Sequence, residues 1–224
     1  MYDKDPLSAL DAISAAQWLA FAPLAFQATS VMRDRGVLAA LADAGTDGAT
    51  LEQLADNCGL SVYATRVLLE AGLGLHILWR HADRFRLGKL GRVLLEDEMT
   101  RINFDFMKDV CYAPAAHLDE SLMQGRPAGL HELGPWSTLY EGLSSMAEPA
   151  RGSWHAFDHF YSDQAFPAAC DRLAAGPPVR LLDVGCNTGR WAEYCLKRVP
   201  GMEVGLVDLE PQLARARERL QTAA

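Results

Sequence analysis

Two carboxylates and two glycines define the chemistry open to this chain. Asp183, Gly185 and Gly189 fall within LLDVGCNTG, and Asp208 closes GLVD, 23 residues after Gly185. A carboxylate at the carboxyl end of a strand can accept two hydrogen bonds from a ribose diol. Gly185 lets the backbone turn sharply without a Cβ clash, and Gly189 lets a ligand or the strand come close. The turn reads D-x-G-x-x-x-G rather than G-x-G-x-x-G, so it lacks the tight glycine pair that seats a pyrophosphate on a helix N-terminus. Asp183, two residues before the first glycine, disfavours a polyanion and suits a cationic or zwitterionic ligand. The bland alternative is an ordinary βα turn. Turn plus acid at this separation favours a nucleoside-type site.

These residues need a βαβ unit to position them. Val179, Leu181, Leu182 and Val184 form a short apolar run suited to a buried strand. Trp191 to Arg198 reads as a helix that Pro200-Gly201 ends, and Val204 to Val207 as a second strand. Upstream, Trp154 to Leu173 is a helical stretch dense in aromatics. Phe157 and Tyr161 share one helix face there, at i and i+4. His155 and His159 share another, with no Cys or carboxylate at ligand spacing, so no metal is expected.

Three helices and a ribbon fill Gly36 to Leu95. Val37, Leu38 and Leu41 mark the first helix. Thr50 caps the second, Leu51 to Asn57, with Gln53 at the capping-box position. Ser61 caps the third, Tyr63 to Ala71. Leu75 to Trp79 and Phe85 to Leu87 read as a two-stranded ribbon, which makes the unit a winged helix. Before it, Pro6 to about Arg33 is helical and greasy on more than one face. Such a helix suits either a second subunit or burial in its own domain. Its Asp11, Ser14, Gln17 and Pro23 argue against a membrane span. Met99 to Gly125 and Trp136 to Met146 read as further helices.

LLDVGCNTG followed by VDLEP resembles motif I and the ribose-binding acid of class I S-adenosylmethionine (SAM)-dependent methyltransferases. The resemblance implies that Gly185 and Gly189 line the methionine side of the cofactor. It also implies that Asp208 holds the ribose hydroxyls and Asp183 orients the amino group. The family usually has glycine where Asn187 stands, and Asn tolerates positive φ better than other non-glycine residues. GVLAAL…TLEQLADNCGLSVYATRVLLEAGLGL…FRLGKLG is similar to the N-terminal dimerisation domain of the small-molecule O-methyltransferase group. There the winged helix mediates dimer contacts, which implies a homodimer through the N-terminal helices and winged helix. The resemblance further implies a small aromatic or polyketide-like acceptor. It implies Phe157 and Tyr161 beside the cofactor, and Met107, Tyr112, Trp136 and Met146 in a helical roof over the substrate, although core packing is the commoner role for such residues.

The expected fold class is a mostly α N-terminal winged-helix domain plus the first βαβα part of a Rossmann-like α/β methyltransferase domain. Residues 1–98 form the winged-helix dimerisation domain, 99–152 the helical linker and 153–224 the start of the SAM-binding domain. The family's sheet has seven strands and only two are present, so the chain reads as a fragment, or as one completed by another chain. The group's catalytic histidine lies well beyond the second strand. No catalytic base is therefore named, and the chain is expected to be inactive alone.

Composition bounds the remaining classes. The chain has 224 residues, half of them hydrophobic, a net charge of −8 and a pI near 5.2. That disfavours a general nucleic-acid binder. Five cysteines without a CxxC pair suggest a reducing cytoplasm, and no signal peptide is read at the start. Two other classes stay open. The wing carries Arg80, Arg84, Arg86, Lys89 and Arg92, as a DNA-binding transcription regulator could. A non-catalytic dimerisation partner is the third possibility.

Overall fold

The computed structural model describes residues 5–176 and 180–223, with side chains to residue 221. Val179, expected to open the first strand, lies outside the described residues. The chain divides into two compact units between Arg101 and Ile102.

The first unit opens on α1 (Ala9–Asp34), started by Ser8, whose Oγ accepts from the Asp11 amide at 3.2 Å. Then follow α2 (Val37–Asp43), α3 (Leu51–Cys58), α4 (Val62–Gly74), the strands β1 (Leu78–His81) and β2 (Arg84–Leu87), and α5 (Lys89–Glu96). The expected capping box forms: the Thr50 hydroxyl accepts from the Gln53 amide and the Gln53 side chain accepts from the Thr50 amide, at 3.3 and 3.0 Å. It holds two of the donors that a helix start leaves unpaired. Antiparallel pairing runs from Leu78 opposite Leu87 to His81 opposite Arg84. The first strand starts three residues later than expected because Leu75 closes α4 and His76 turns through φ 57°. Three helices and a hairpin are thus the observed order. Met32, Leu38, Leu41, Leu54, Leu69 and Ile77 are fully buried at its centre.

Only the last turns of α1 join that core. Leu10, Ile13, Trp18, Leu19, Phe21 and Leu24 are all more than half exposed. Among the described residues α1 is also the one helix long and apolar enough, by length and mean hydropathy, to cross a membrane. Three of the wing cations are engaged within the unit. Arg84 donates to the Gly48 carbonyl at 2.8 Å, Arg86 lies over Trp79 and Arg92 pairs with Glu96.

α6 (Glu98–Phe106) crosses the boundary. The second unit then winds through a π-helical turn (Met107–Cys111), α7 (Tyr112–Ala115), α8 (Leu118–Gln124), a 3-10 turn (Ala128–Glu132) and α9 (Leu139–Gly142). The helix expected over Trp136 to Met146 shrinks to these four residues of α9. Pro135, Gly142 and the Ser144-Ser145 pair are poor helix formers. α10 (Ala150–Asp163) and α11 (Phe166–Ala174) lead into β3 (Arg180–Val184), α12 (Arg190–Arg198), β4 (Glu203–Val207) and α13 (Glu210–Ala223). β3 and β4 pair in parallel, Arg180 opposite Glu203 and Val184 opposite Val207. Leu181 and Val204 pack with Cys170, Cys195 and Met202 against α11 and α12. The opposite face of the pair leaves Leu182 63% and Val184 71% exposed.

Candidate functional site

The turn after β3 is built from three left-handed residues. Gly185, Asn187 and Gly189 have φ of 77°, 48° and 73°. Asparagine adopts this conformation more readily than most non-glycine residues. Here Asn187 Nδ2 donates to Asp158 Oδ2 on α10 at 2.9 Å. Gly185 N donates to the Val207 carbonyl at 2.7 Å, so the turn is fastened to the end of β4. Gly189 caps α12, and the close approach there is made by α13. A Cβ at Gly189 would lie 3.0 Å from Ala216 Cβ.

Asp208 also holds the turn. Its Oδ2 accepts from the Asn187 amide and its Oδ1 from the Leu209 amide, each at 2.7 Å. Each carboxylate oxygen has a second lone pair, so the clamp leaves one acceptor site per oxygen for a diol. Asp183 is different. Its Oδ2 is buried with no hydrogen-bond partner among the described residues. Burial, then the like charge of Asp208, raises its carboxyl above the ordinary range.

A cavity of about 830 Å³ opens at the carboxyl ends of both strands, within the usual size range of small-molecule sites. Val184, Gly185 and Asn187 line it from β3 and its turn, and Val207, Asp208 and Leu209 from the end of β4 and the residues after it. Trp154 and Asp158 of α10, Leu143, Glu141 and Gln212 also line it. Gln212 Oε1 is another buried acceptor without a hydrogen-bond partner among the described residues. Asp183 borders a smaller adjoining cavity that shares Asp158, Gly185 and Asn187.

The other expected site residues stand elsewhere. Phe157 stacks on Phe106 with ring centres 4.0 Å apart, and Tyr161 donates to Asn103 Oδ1 at 2.8 Å. This face of α10 packs on α6, while the neighbouring stripe, Trp154 and Asp158, faces the cavity. Trp136 and Met146 belong to the core around Val110 and Leu143. The Trp136 ring lies against Gly142, where a Cβ would run into it. Met107 is 44% exposed in the π-helical turn and Tyr112 opens α7. None of these four lines the large cavity. Sequence reading missed Trp154, Asp158 and Gln212, although the i, i+4 spacing of Trp154 and Asp158 was a visible signal.

His155 and His159 sit beside this site with ring centres 5.6 Å apart. His155 Nε2 faces Arg215 Nη1 at 3.4 Å. Arginine only donates, so Nε2 is the acceptor and the buried Nδ1 carries a hydrogen. Burial, then Arg215, lowers the His155 pKa; burial, then Arg190, lowers that of His159. Arg190 itself pairs with Asp163.

A profile of the Dimerisation2-like domain matches residues 14–85. No curated protein sequence matches the chain. Among solved structures, the S-adenosylmethionine-dependent methyltransferase SibL is 24% identical with a TM-score of 0.67, over 95% of this chain and 62% of SibL. Mitomycin 7-O-methyltransferase MmcR is 20% identical with the same score, over 94% and 62%. Human N-acetylserotonin methyltransferase, solved with SAM, is 18% identical at 0.64, over 97% and 64%. The chain spans less than two thirds of the length of each. Over the part it spans, the chain has the fold of these methyltransferase structures.

Proposed function

We propose that this chain is the N-terminal part of a SAM-dependent methyltransferase that methylates an oxygen of a small aromatic or polyketide-like molecule. The observation that carries this reading is the orphaned Asp183 oxygen beside the cavity at the ends of β3 and β4. A buried carboxylate oxygen without a partner is costly by itself and suits an ammonium. SAM offers that ammonium and a ribose diol. Asp183 receives the first and the free lone pairs of Asp208 the second, while Val184, Val207, Leu209 and Trp154 supply an apolar wall. Bound SAM supplies an electrophilic methyl group on a sulfonium. The residues of this chain bind and orient, and they shield one side of the cavity from water.

Gly185 keeps the turn open toward the ligand, whereas Gly189 serves the packing of α12 on α13. The exposed apolar side of α1, in a unit matched by a dimerisation domain, supports a homodimer built partly on that helix. The test is calorimetric titration of S-adenosylhomocysteine into the protein, with Asp208→Ala beside it. The expected result is one site per chain, lost in the variant. Equal affinity in both proteins would remove Asp208 from the site.

A further inference from the structure

A second constellation lies where α8 begins and the 3-10 turn ends. Ligand atoms of His117, His131 and Glu132 all fall within 4.8 Å of one another. His117 Nε2 is 3.2 Å from Glu132 Oε1, and His131 Nε2 is 3.4 Å from the same oxygen. Two ligand atoms at ordinary Zn–N and Zn–O distances around a tetrahedral ion are about 3.3 Å apart. Both recorded spacings match that edge.

The outer hydrogen bonds make the case stronger. His131 Nδ1 lies 2.6 Å from the Ala128 carbonyl oxygen. A carbonyl only accepts, so this nitrogen carries the hydrogen. Neutral His131 then turns the bare lone pair of Nε2 toward a carboxylate oxygen. Two acceptors so close repel unless a proton or a cation stands between them. His117 Nδ1 faces Glu120 Oε2 at 3.6 Å, and Glu120 Oε1 accepts from Gln124 and Arg126 at 3.1 and 3.4 Å. His131 therefore has the Nδ1 hydrogen bond that orients Nε2 in metal centres, while the Glu120 oxygen stands beyond hydrogen-bond distance of His117 Nδ1. The backbone is tied independently: Ser121 Oγ donates to the His117 carbonyl and accepts from the Ala128 amide, at 2.9 and 3.0 Å.

We propose that His117 Nε2, His131 Nε2 and Glu132 Oε1 bind one borderline divalent cation, with zinc the best match to two imidazoles and a carboxylate. Water fills the fourth position. The ion joins the start of α8 to the end of the 3-10 turn. The competing description is a surface ion pair in which a protonated His131 needs no metal.

Zinc chloride titrated into chelator-treated protein, followed by calorimetry, decides between them. One equivalent should bind, and His131→Ala and Glu132→Gln should each weaken binding by about 100-fold or more. Both positions are exposed, so circular dichroism of the variants should match the parent. Cobalt loaded in place of zinc should show visible bands without a thiolate charge-transfer band, which separates this site from the five cysteines. No zinc binding up to millimolar concentration would overturn the proposal. Binding that survives both variants, or a thiolate band, would do the same.

Discussion

Replacing Asp183 by asparagine should move stability and ligand affinity in opposite directions. One Asp183 oxygen is buried without a hydrogen-bond partner among the described residues. Burial, followed by the charge of Asp208, raises the carboxyl pKa above its ordinary 3.8. A group raised by folding contributes stability that is fully present below its unfolded pKa and is lost as pH rises through the folded one. At neutral pH the parent protein therefore holds a poorly solvated carboxylate. An unpaired buried group costs about 1–3 kcal/mol. Asp183 is only half-buried, and a neutral amide is cheaper to desolvate, so Asp183→Asn should gain about 1 kcal/mol at pH 7. For a chain of this size that is about 2–4 °C in Tm. The gain should shrink as pH falls toward 4. Affinity for S-adenosylhomocysteine should fall, because a charged hydrogen bond contributes about 1.5–3 kcal/mol, or roughly ten- to a hundredfold in Kd. Thermal unfolding from pH 4 to 8 and calorimetric titration read the two effects. A variant that melts lower at pH 7 and binds as tightly as the parent would refute the reasoning.

Gly189→Ala combines a left-handed backbone with a contact on Ala216, so it should cost about 1–2 kcal/mol from the backbone alone. A Tm within a degree of the parent would refute the backbone cost assigned to this position. Leu19, 79% exposed on α1, should tolerate Glu in the fold, and Leu19→Glu should shift a dimer to monomer in light scattering after size exclusion. A parent protein that is monomeric at every concentration would remove the dimer reading. Burial, then Asp208 and Asp183, pushes the Cys186 thiol up to about 11. Native labelling at pH 8 should leave it unmodified by mass spectrometry, and fast reaction there would contradict its surroundings.

The parts of this molecule set by short-range chemistry were legible in the sequence. Thr50 and Gln53 announce a capping box that forms, and Gly185, Asn187 and Gly189 announce a left-handed turn. Asp208 stands at the strand end where the spacing put it. Its grip on the Asn187 amide was not foreseen, because a backbone donor leaves no mark on residue type. Longer-range choices were less visible. The aromatic helix was recognised, but which stripe faces the cavity depends on Phe106, 51 residues before Phe157, taking the other side. Trp136 and Met146 are pocket-like residue types that the core claims instead. His117 and His131 stand on different elements, before α8 and in the 3-10 turn, so only the fold of the segment between them brings them together.

The grip of Asp208 on two backbone amides has a thermodynamic consequence. Its carboxylate is oriented before any ligand arrives, and the turn that presents it is fastened to α10 through Asn187. Immobilising a free side chain on binding costs about 0.5–1.5 kcal/mol. Here that ordering is completed during folding. A ligand meets a fixed acceptor pair, so its association should proceed as rigid docking in one kinetic phase, with no slow rearrangement of the turn.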